Sequence, residues 1–243
     1  MRKITFTNQE FYHVYNRGVD KRTIFSDSND LKRLYQSFQD FNSLEPVGSI
    51  YELAFSQKQE TRLEASLPNP NVKKLVRIIC YALNPNHYHL LLQQETDKGI
   101  EKFMHRVGTG FTKYFNHRYK RTGALFQGVF KARHIQDNND LLHLSAYINL
   151  NDKAHTHKTE QTQTETTWKR SFQVSAQTSW NEYTKNIKGI CDKDIILDQF
   201  SGAEEYFKFC NEAFKLVVER KQSPLDLDDL EAKLPSVAVE GVI

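Results

Sequence analysis

Two histidines separated by one residue, His87 and His89, are the first candidates for chemistry in this sequence. They begin an apolar run typical of a β-strand. Side chains alternate along a strand, so both imidazoles should project from the same face. Neutral imidazole is the commonest protein ligand for divalent metal ions, and two on one face supply two ligands of a site that needs a third. The alternative is a pair of partly buried histidines hydrogen-bonded to backbone carbonyls.

Tyr147 and Asn151 are the next candidates, four residues apart in a segment with the apolar spacing of a helix. That spacing places both on one helix face. A tyrosine phenol can attack phosphorus and leave a covalent phosphotyrosine, and an amide oxygen beside it can serve as a metal ligand. The alternative is a core tyrosine followed by an asparagine that caps the end of the helix.

Positive charge is concentrated in the middle of the chain, although the formal net charge is only +3. No acidic residue lies between Lys102 and Gln136, and aromatic residues interleave with the cations. Such a stretch suits a polyanion, because cations contact phosphates and aromatic rings stack on bases. The alternative is an amphipathic helix with solvated cations. The predicted phosphate contacts are Lys113, Arg118, Lys120, Arg121, Lys131 and Arg133 of this stretch, together with Arg17 near the end of the first strand.

Composition argues against several classes of protein. No apolar stretch approaches the roughly 18 residues of a membrane span, and the N-terminal residues lack the apolar segment of a secretion signal. Three widely spaced cysteines argue against a disulfide framework or a four-cysteine zinc site. Neither a P-loop nor a GxGxxG loop occurs, which disfavours a nucleotide-driven enzyme. The sequence therefore predicts a soluble, cytoplasmic protein with no membrane partner.

These residues need a scaffold, and the sequence predicts elements in the order β-α-β-β-α-β-α. The clearest signal is a hairpin in which two apolar strands flank the turn at 84–86. The order favours an α+β fold, RRM-like or ferredoxin-like, with a mostly antiparallel sheet and flanking helices. The predicted limits are 1–154 for this domain, 155–179 for a polar linker or loop, and 180–243 for a small helical C-terminal extension with an acidic tail.

Four local expectations bear on the candidate residues. A helix is predicted from Gly99 to Tyr119, weakened at its glycines. An extended segment is predicted from Gly123 to Ile135, and a loop or a poorly packed hairpin over residues 47–71. The helix of Tyr147 is expected to be capped by Asn139 or Asp140.

Taken together, these segments resemble a known family, the single-tyrosine HUH transposases, and in particular the REP-associated and IS200-like tyrosine transposases. Four motifs in the family's order are far more specific than any one of them. The matching segments are 11–18 for the first strand, 81–92 for the HUH motif, 114–131 for the basic central segment and 146–151 for the tyrosine helix.

The resemblance implies an HUH domain that cuts single-stranded DNA beside an imperfect hairpin and transfers the strand. Tyr147 would be the nucleophile and would form a 5′-phosphotyrosine link, while His87 and His89 would hold Mg²⁺ or Mn²⁺ with Asn151 at the third-ligand position. Single-stranded or hairpin DNA would be the partner, and a homodimer is compatible with the family.

The sequence departs from the family pattern at two places. Asn151 is followed by Asp152 where the family often has proline, and Val129 stands where an arginine is common. The second change removes a phosphate contact or alters the DNA sequence that is read. Two rival functions are a non-catalytic RRM-like nucleic-acid-binding protein and a metal hydrolase that activates water and uses Tyr147 only structurally.

Overall fold

The structure is a computed structural model, and it describes residues 4–45, 73–151, 176–185 and 187–220. The predicted loop at 47–71, most of the predicted linker and the acidic tail lie outside the described residues. The domain limits given above therefore stay predictions.

Five strands form one antiparallel sheet: β1 (Phe11–Arg17), β2 (Val76–Asn84), β3 (His87–Gln94), β4 (Lys131–Ile135) and β5 (Gln177–Thr178). Their spatial order is β4-β1-β3-β2-β5. β1 and β2 are linked through a helix but separated in the sheet by β3, which is the arrangement of a split β-α-β unit. The predicted α+β class and antiparallel sheet are confirmed, and the strand of the two histidines lies at the centre.

The α-helices of the described residues are α1 (Ser28–Asp40), α2 (Gly99–Arg118), α3 (Asn138–Asn149), α4 (Trp180–Thr184), α5 (Asp194–Leu197) and α6 (Ala203–Arg220). α2 runs unbroken through both of its interior glycines, because a stripe of buried aromatic residues holds it on the sheet. None of these helices is long and apolar enough to cross a membrane.

Two helices begin at aspartate caps. The Asp27 carboxylate accepts hydrogen bonds from the backbone N–H groups of Asn29 and Asp30 at the start of α1. The Asp137 carboxylate accepts one from the N–H of Asp140 at 2.7 Å, so α3 begins before Asn139. The prediction of Asn139 or Asp140 as the cap is therefore wrong by two or three residues.

The two faces of the sheet carry different helices. One face, with buried Val14, Tyr88 and Leu90, packs against α1 and α2. The opposite face carries His87 and His89 and packs against α3 and the C-terminal helices; we call it the histidine face. Tyr88 thus lies on the side away from the histidines, as strand alternation predicts.

β2 changes phase at a β-bulge. Ile78 pairs with Leu92 of β3, whereas Cys80 pairs with Leu91. One extra residue reverses the alternation of side chains along the rest of the strand. The end of β2, including Asn84, is thereby turned toward the histidine face.

The C-terminal elements support the bulge and the helix α3. The Tyr183 hydroxyl donates to the carbonyl oxygen of Ile79, the extra residue of the bulge, at 2.8 Å. The fully buried Tyr206 hydroxyl lies 2.9 Å from Ser145 Oγ and accepts a hydrogen bond from Asn149 Nδ2 at 2.9 Å. Both partners of Tyr206 belong to α3, so α6 fixes the helix that carries Tyr147.

The segment predicted to be extended is only partly so. β4 begins at Lys131, and residues 123–130 form a loop with Gly123 and Gly128 in the left-handed region, at φ 86° and 72°. The loop is bonded to the end of β1, because Gln127 N–H donates to the Arg17 carbonyl at 2.8 Å and Asn16 Nδ2 donates to that of Gly128 at 3.2 Å. These bonds hold the loop at the end of β1, the strand next to the histidine strand.

Candidate active site

His87 and His89 lie side by side on the central strand, as the sequence predicts. Their ring centroids are 5.0 Å apart and the rings meet edge to face. His89 is 1% exposed, whereas His87 is half-buried. In the register of β1 with β3, Arg17 is opposite His87 and Tyr15 is opposite His89. The pair therefore opens toward solvent at the His87 end.

The hydrogen bond of His87 fixes its tautomer. His87 Nδ1 lies 2.6 Å from the side-chain oxygen of Asn86. An amide oxygen only accepts, so Nδ1 carries the proton and the lone pair of the neutral ring is on Nε2. A histidine ready to bind a metal ion through one nitrogen commonly donates the other N–H in this way.

His13 of β1 stands behind His89. Its Nε2 lies 3.0 Å from His89 Nδ1, and the two rings are stacked with centroids 5.2 Å apart. Burial, reinforced by the Arg133 cation, lowers the pKa of His13 to about 3, so the ring is neutral at physiological pH. When His89 donates Nδ1–H to His13, the lone pair of His89 is on Nε2. From the sequence alone, His13 is more simply interpreted as a core histidine, because spacing does not show which strand neighbours β1.

Tyr147 is brought to the histidines by α3. Its ring centroid is 5.9 Å from that of His89, in an edge-to-face contact. The side chain is partly buried, and its neighbours in the helix, Ala146 and Ile148, are buried in the core beneath. The apolar pattern of α3 thus orients the phenol toward the sheet.

Asn151 reaches the same face just beyond the end of α3. Its side-chain oxygen accepts a hydrogen bond from Asn84 Nδ2 at 2.7 Å, and both residues are at most 1% exposed. Asn84 is paired with His87 across the hairpin. Asn151 is therefore held next to the cross-strand neighbour of His87, a link that the sequence motifs do not reveal.

The donor groups are compatible with a divalent ion. Within the part of the chain that the structure describes, no three His, Cys, Asp or Glu side chains form a metal-binding group. The candidate ligands among the described residues include the side-chain amide oxygens of Asn84 and Asn151. One such oxygen, Asn84 Oδ1, is buried beside His87 without a hydrogen-bond partner among the described residues. Two imidazole nitrogens and an oxygen suit ions such as Mn²⁺ that accept both donor types.

Three predicted phosphate contacts, all on β1 or β4, share the histidine face. The Lys131 ammonium lies 5.7 Å from the centre of the Tyr15 ring. Arg133 Nη1 is 3.9 Å from an Asp140 carboxylate oxygen, while its Nε and Nη2 are buried with no hydrogen-bond partner in the described ranges. Arg17 Nε donates to the side-chain oxygen of Gln127. The residues opposite Arg17, Lys131 and Arg133 in the sheet are His87, Tyr15 and His13.

The other predicted phosphate contacts belong to α2 or the loop after it, on the opposite side of the sheet. Arg118 Nη1 donates to Asp27 at 3.0 Å and to the fully buried Asp30 at 2.8 Å. Arg121 donates to Asn116 Oδ1 and to the Ala124 carbonyl, which shapes the loop after α2. Of these four predicted contacts, Lys113 and Lys120 are the ones with exposed side chains.

The tyrosines of the basic segment lie away from the histidines. Tyr114 and Tyr119 donate their hydroxyls to the two carboxylate oxygens of Asp30, at 3.1 and 2.8 Å. Burial raises the pKa of Tyr114, and burial together with Asp30 raises that of Tyr119 to about 12. Both hydroxyls are therefore poor nucleophiles, and both pack with the α1–α2 core.

Comparison with known proteins identifies a family to which part of this chain is similar. Residues 51–151 match the model of a family described as IS200-like transposases. Among solved structures, a REP-associated tyrosine transposase bound to a REP hairpin matches at TM-score 0.41 with 13% sequence identity, over 64% of this chain and 73% of that one. A search of curated proteins found no match. The segment that supplies both histidines, Tyr147 and Asn151 is therefore similar to the family of IS200-like transposases.

Proposed function

We propose that this protein is a divalent-metal-dependent endonuclease and strand transferase that acts on single-stranded DNA beside a hairpin. The observation that carries the proposal is the edge-to-face contact between Tyr147 and His89. It joins the one tyrosine on α3 to the two-histidine pair, on a sheet face lined with cations. A protein that only binds nucleic acid has no need of this combination.

The chemistry is an in-line displacement at phosphorus. The Tyr147 phenolic oxygen attacks the scissile phosphate, an O–P bond forms, and the bond from phosphorus to the 3′ oxygen breaks. The phenol loses its proton and the departing 3′ oxygen gains one, which leaves a 5′-phosphotyrosine and a free 3′-OH. Attack by another 3′-OH on the phosphotyrosine reverses these steps and joins a new strand, so no nucleotide cofactor is consumed.

His87 and His89 would hold the ion through Nε2, the nitrogen opposite the one that each uses in its hydrogen bond. A bound Mg²⁺ or Mn²⁺ supplies charge neutralisation at the scissile phosphate. The side chains on the same face, Arg17, Lys131 and Arg133, would hold the flanking phosphates. Positioning and charge neutralisation are the main requirements of phosphoryl transfer.

The decisive experiment traps the covalent adduct. A labelled single strand with a hairpin and Mn²⁺ should yield a protein–DNA adduct with wild-type protein, and peptide mapping should place it on Tyr147. Tyr147→Phe retains the packing and should bind DNA and Mn²⁺ but reduce adduct formation by a thousandfold or more, on the order seen when a nucleophile is removed.

The double variant His87→Ala, His89→Ala should still bind DNA but form no adduct, and EDTA should abolish the adduct of the wild-type protein. Tyr88→Phe is a matched control, because that hydroxyl lies on the other face. Adduct on Tyr114 or Tyr119 would contradict the assignment of the nucleophile. Full cleavage by the double histidine variant in EDTA would contradict metal dependence, and DNA binding without any adduct would favour the binding-module alternative.

A further inference from the structure

Tyr15 of β1 is a second tyrosine on the histidine face. It pairs with His89 in the sheet, and its ring centroid lies 6.0 Å from that of His89 and 5.0 Å from that of His13. Tyr147 contacts the same His89 ring at 5.9 Å. Tyr15 is partly exposed, so it is within reach of a molecule bound beside the histidines and Tyr147.

The surroundings of the Tyr15 ring are polar, unlike those of the other aromatic residues of β1. Phe11 packs against the histidine-face core and Tyr12 lies in the α1–α2 core, whereas Tyr15 belongs to neither of these apolar clusters. Its ring lies against two imidazoles and an ammonium group. A side chain that only fills the core is buried among apolar residues. The position of this ring is instead suited to contact with a ligand.

Two cations bracket the ring. Lys131 pairs with Tyr15 from β4, and its exposed ammonium lies 5.7 Å from the ring centre. Arg17 is two residues further along β1, so it projects from the same face, opposite His87. Proteins that bind single-stranded nucleic acid combine cations that contact the backbone with aromatic rings that stack on bases. Arg17, Tyr15 and Lys131 place these groups side by side.

We propose that Tyr15 is a stacking platform for an unpaired base next to the scissile phosphate. This inference rests on the proposed function, because it names a further contact with the same DNA strand. Every base has a π-face, so the platform accepts any sequence. Bases inside a duplex are already stacked on their neighbours, so the platform favours single-stranded DNA at the cleavage site. The flanking Arg17 and Lys131 would hold the phosphates on either side of that base.

The test measures binding of an unstructured oligonucleotide by fluorescence anisotropy in EDTA, which requires neither metal nor cleavage. Tyr15→Leu should weaken binding by about five- to 150-fold, the usual effect of removing one stacking ring. Tyr15→Phe retains the ring and should stay within a few-fold of wild type. Because no charge is removed, the salt dependence of binding should be the same in all three proteins. Phe6→Leu, a partly buried aromatic on the opposite face of the sheet, is the matched control.

A second measurement identifies the stacked base. Each base of the oligonucleotide is replaced in turn by an abasic residue. At one position the replacement should weaken binding to the wild-type protein but cause little further loss in Tyr15→Leu, because the two changes remove the same contact. Losses that add at every position would overturn the platform. Should Tyr15→Leu not fold, Tyr15→Trp decides, since stacking would quench the fluorescence of the added indole and an unquenched indole would overturn the proposal.

The outcomes separate this inference from the proposed function. If Tyr15→Leu binds like Phe6→Leu while the adduct still forms on Tyr147, the platform is overturned and the proposed function stands. An equal loss of affinity in Tyr15→Phe and Tyr15→Leu also overturns the platform, because it assigns the effect to the hydroxyl. If the wild-type protein forms no adduct but Tyr15 is coupled to one base, the platform stands and the endonuclease function is overturned.

Discussion

His13 is the buried side chain that connects the histidine pair to the rest of the sheet. Its Nε2 contacts His89, while its Nδ1 is buried without a hydrogen-bond partner in the described ranges. Leaving a ring nitrogen unsatisfied costs about 1–3 kcal/mol. An apolar residue would avoid this cost, so the contact with His89 is better explained by function than by stability.

We therefore predict that His13→Ala weakens Mn²⁺ binding about 10- to 100-fold, the usual effect of removing a group that orients a metal ligand. His13→Gln can still accept from His89 Nδ1 and should recover part of the affinity. The exposed His105→Ala is the matched control. Mn²⁺ titration followed by electron paramagnetic resonance provides the measurement. Unchanged affinity in His13→Ala would show that His13 serves the core only.

Single residues also show how far the sequence predicts the site. The spacing of His87 and His89 predicts their shared face, and the spacing of Tyr147 and Asn151 predicts theirs. Neither spacing indicates that the two faces meet, and the family resemblance supplied that expectation. The contact of His13 with His89 depends on which strand lies beside β3. Strand order is a long-range property that the periodicity of the sequence does not predict.

At the scale of elements, the bulge in β2 is a feature that local sequence patterns do not predict. The apolar run from Leu75 to Leu83 predicts a buried strand, and the turn after it is equally clear. A run that is apolar on both faces carries no alternation, however, so it hides a change of phase. The bulge is held by Tyr183, about a hundred residues away in sequence. Asn84 could therefore not be assigned to the histidine face from the sequence.

α1 and α2 are joined by a cluster of charged side chains that includes Arg118, one of the predicted DNA contacts. Arg118 of α2 bonds both the cap of α1, Asp27, and the buried Asp30. Its side chain is 30% exposed, and its guanidinium is already on two carboxylates. The geometry thus favours a stabilising role for Arg118, whereas the charge pattern of the sequence predicts a phosphate contact.

We predict that Arg118→Ala lowers the free energy of unfolding by about 2 kcal/mol, because it leaves the Asp30 carboxylate with fewer donors. Asp27→Ala should cost about 1 kcal/mol through the lost cap, and the double variant should cost less than the sum, since the two residues interact. Urea unfolding at neutral pH measures all three. Unchanged stability of Arg118→Ala together with weaker DNA binding would restore the phosphate role.

The same cluster predicts the direction in which acid changes the stability of the fold. Partial desolvation opposes ionisation of Asp27, but the hydrogen bonds from Arg118 and the backbone prevail and lower its pKa. A carboxylate with a lowered pKa stabilises the fold above its unfolded value of about 3.9 and loses that contribution as the pH falls further. The stability difference between wild type and Asp27→Ala should accordingly shrink below about pH 4.

For the molecule as a whole, the sheet divides the positive charge into two groups. Arg17 and Lys131 lie on the histidine face, where DNA would enter under the proposed function. Lys113 and Lys120 lie on or just after α2, across the sheet, and the loop bonded to Arg17 connects the two sides. The charge asymmetry of the sequence predicts a polyanion partner, but only the topology shows that the cations cannot all contact one short strand.

We predict that the histidine-face group binds the single strand at the cleavage site and that the α2 group binds the flanking hairpin. The logarithm of DNA affinity falls linearly with the logarithm of the salt concentration. Each phosphate contact adds about 0.7 to the steepness of this slope for a single strand and about 0.9 for a duplex. The double variant Arg17→Gln, Lys131→Gln should therefore lower the slope for an unstructured oligonucleotide by about 1.4 and slow cleavage. Its charge-matched control, Lys113→Gln, Lys120→Gln, should leave that slope nearly unchanged and lower the slope for hairpin DNA by about 1.8. Fluorescence anisotropy over a salt series measures both. Equal effects of the two variants on the unstructured oligonucleotide would contradict the division, because steering by total charge makes no distinction between the faces.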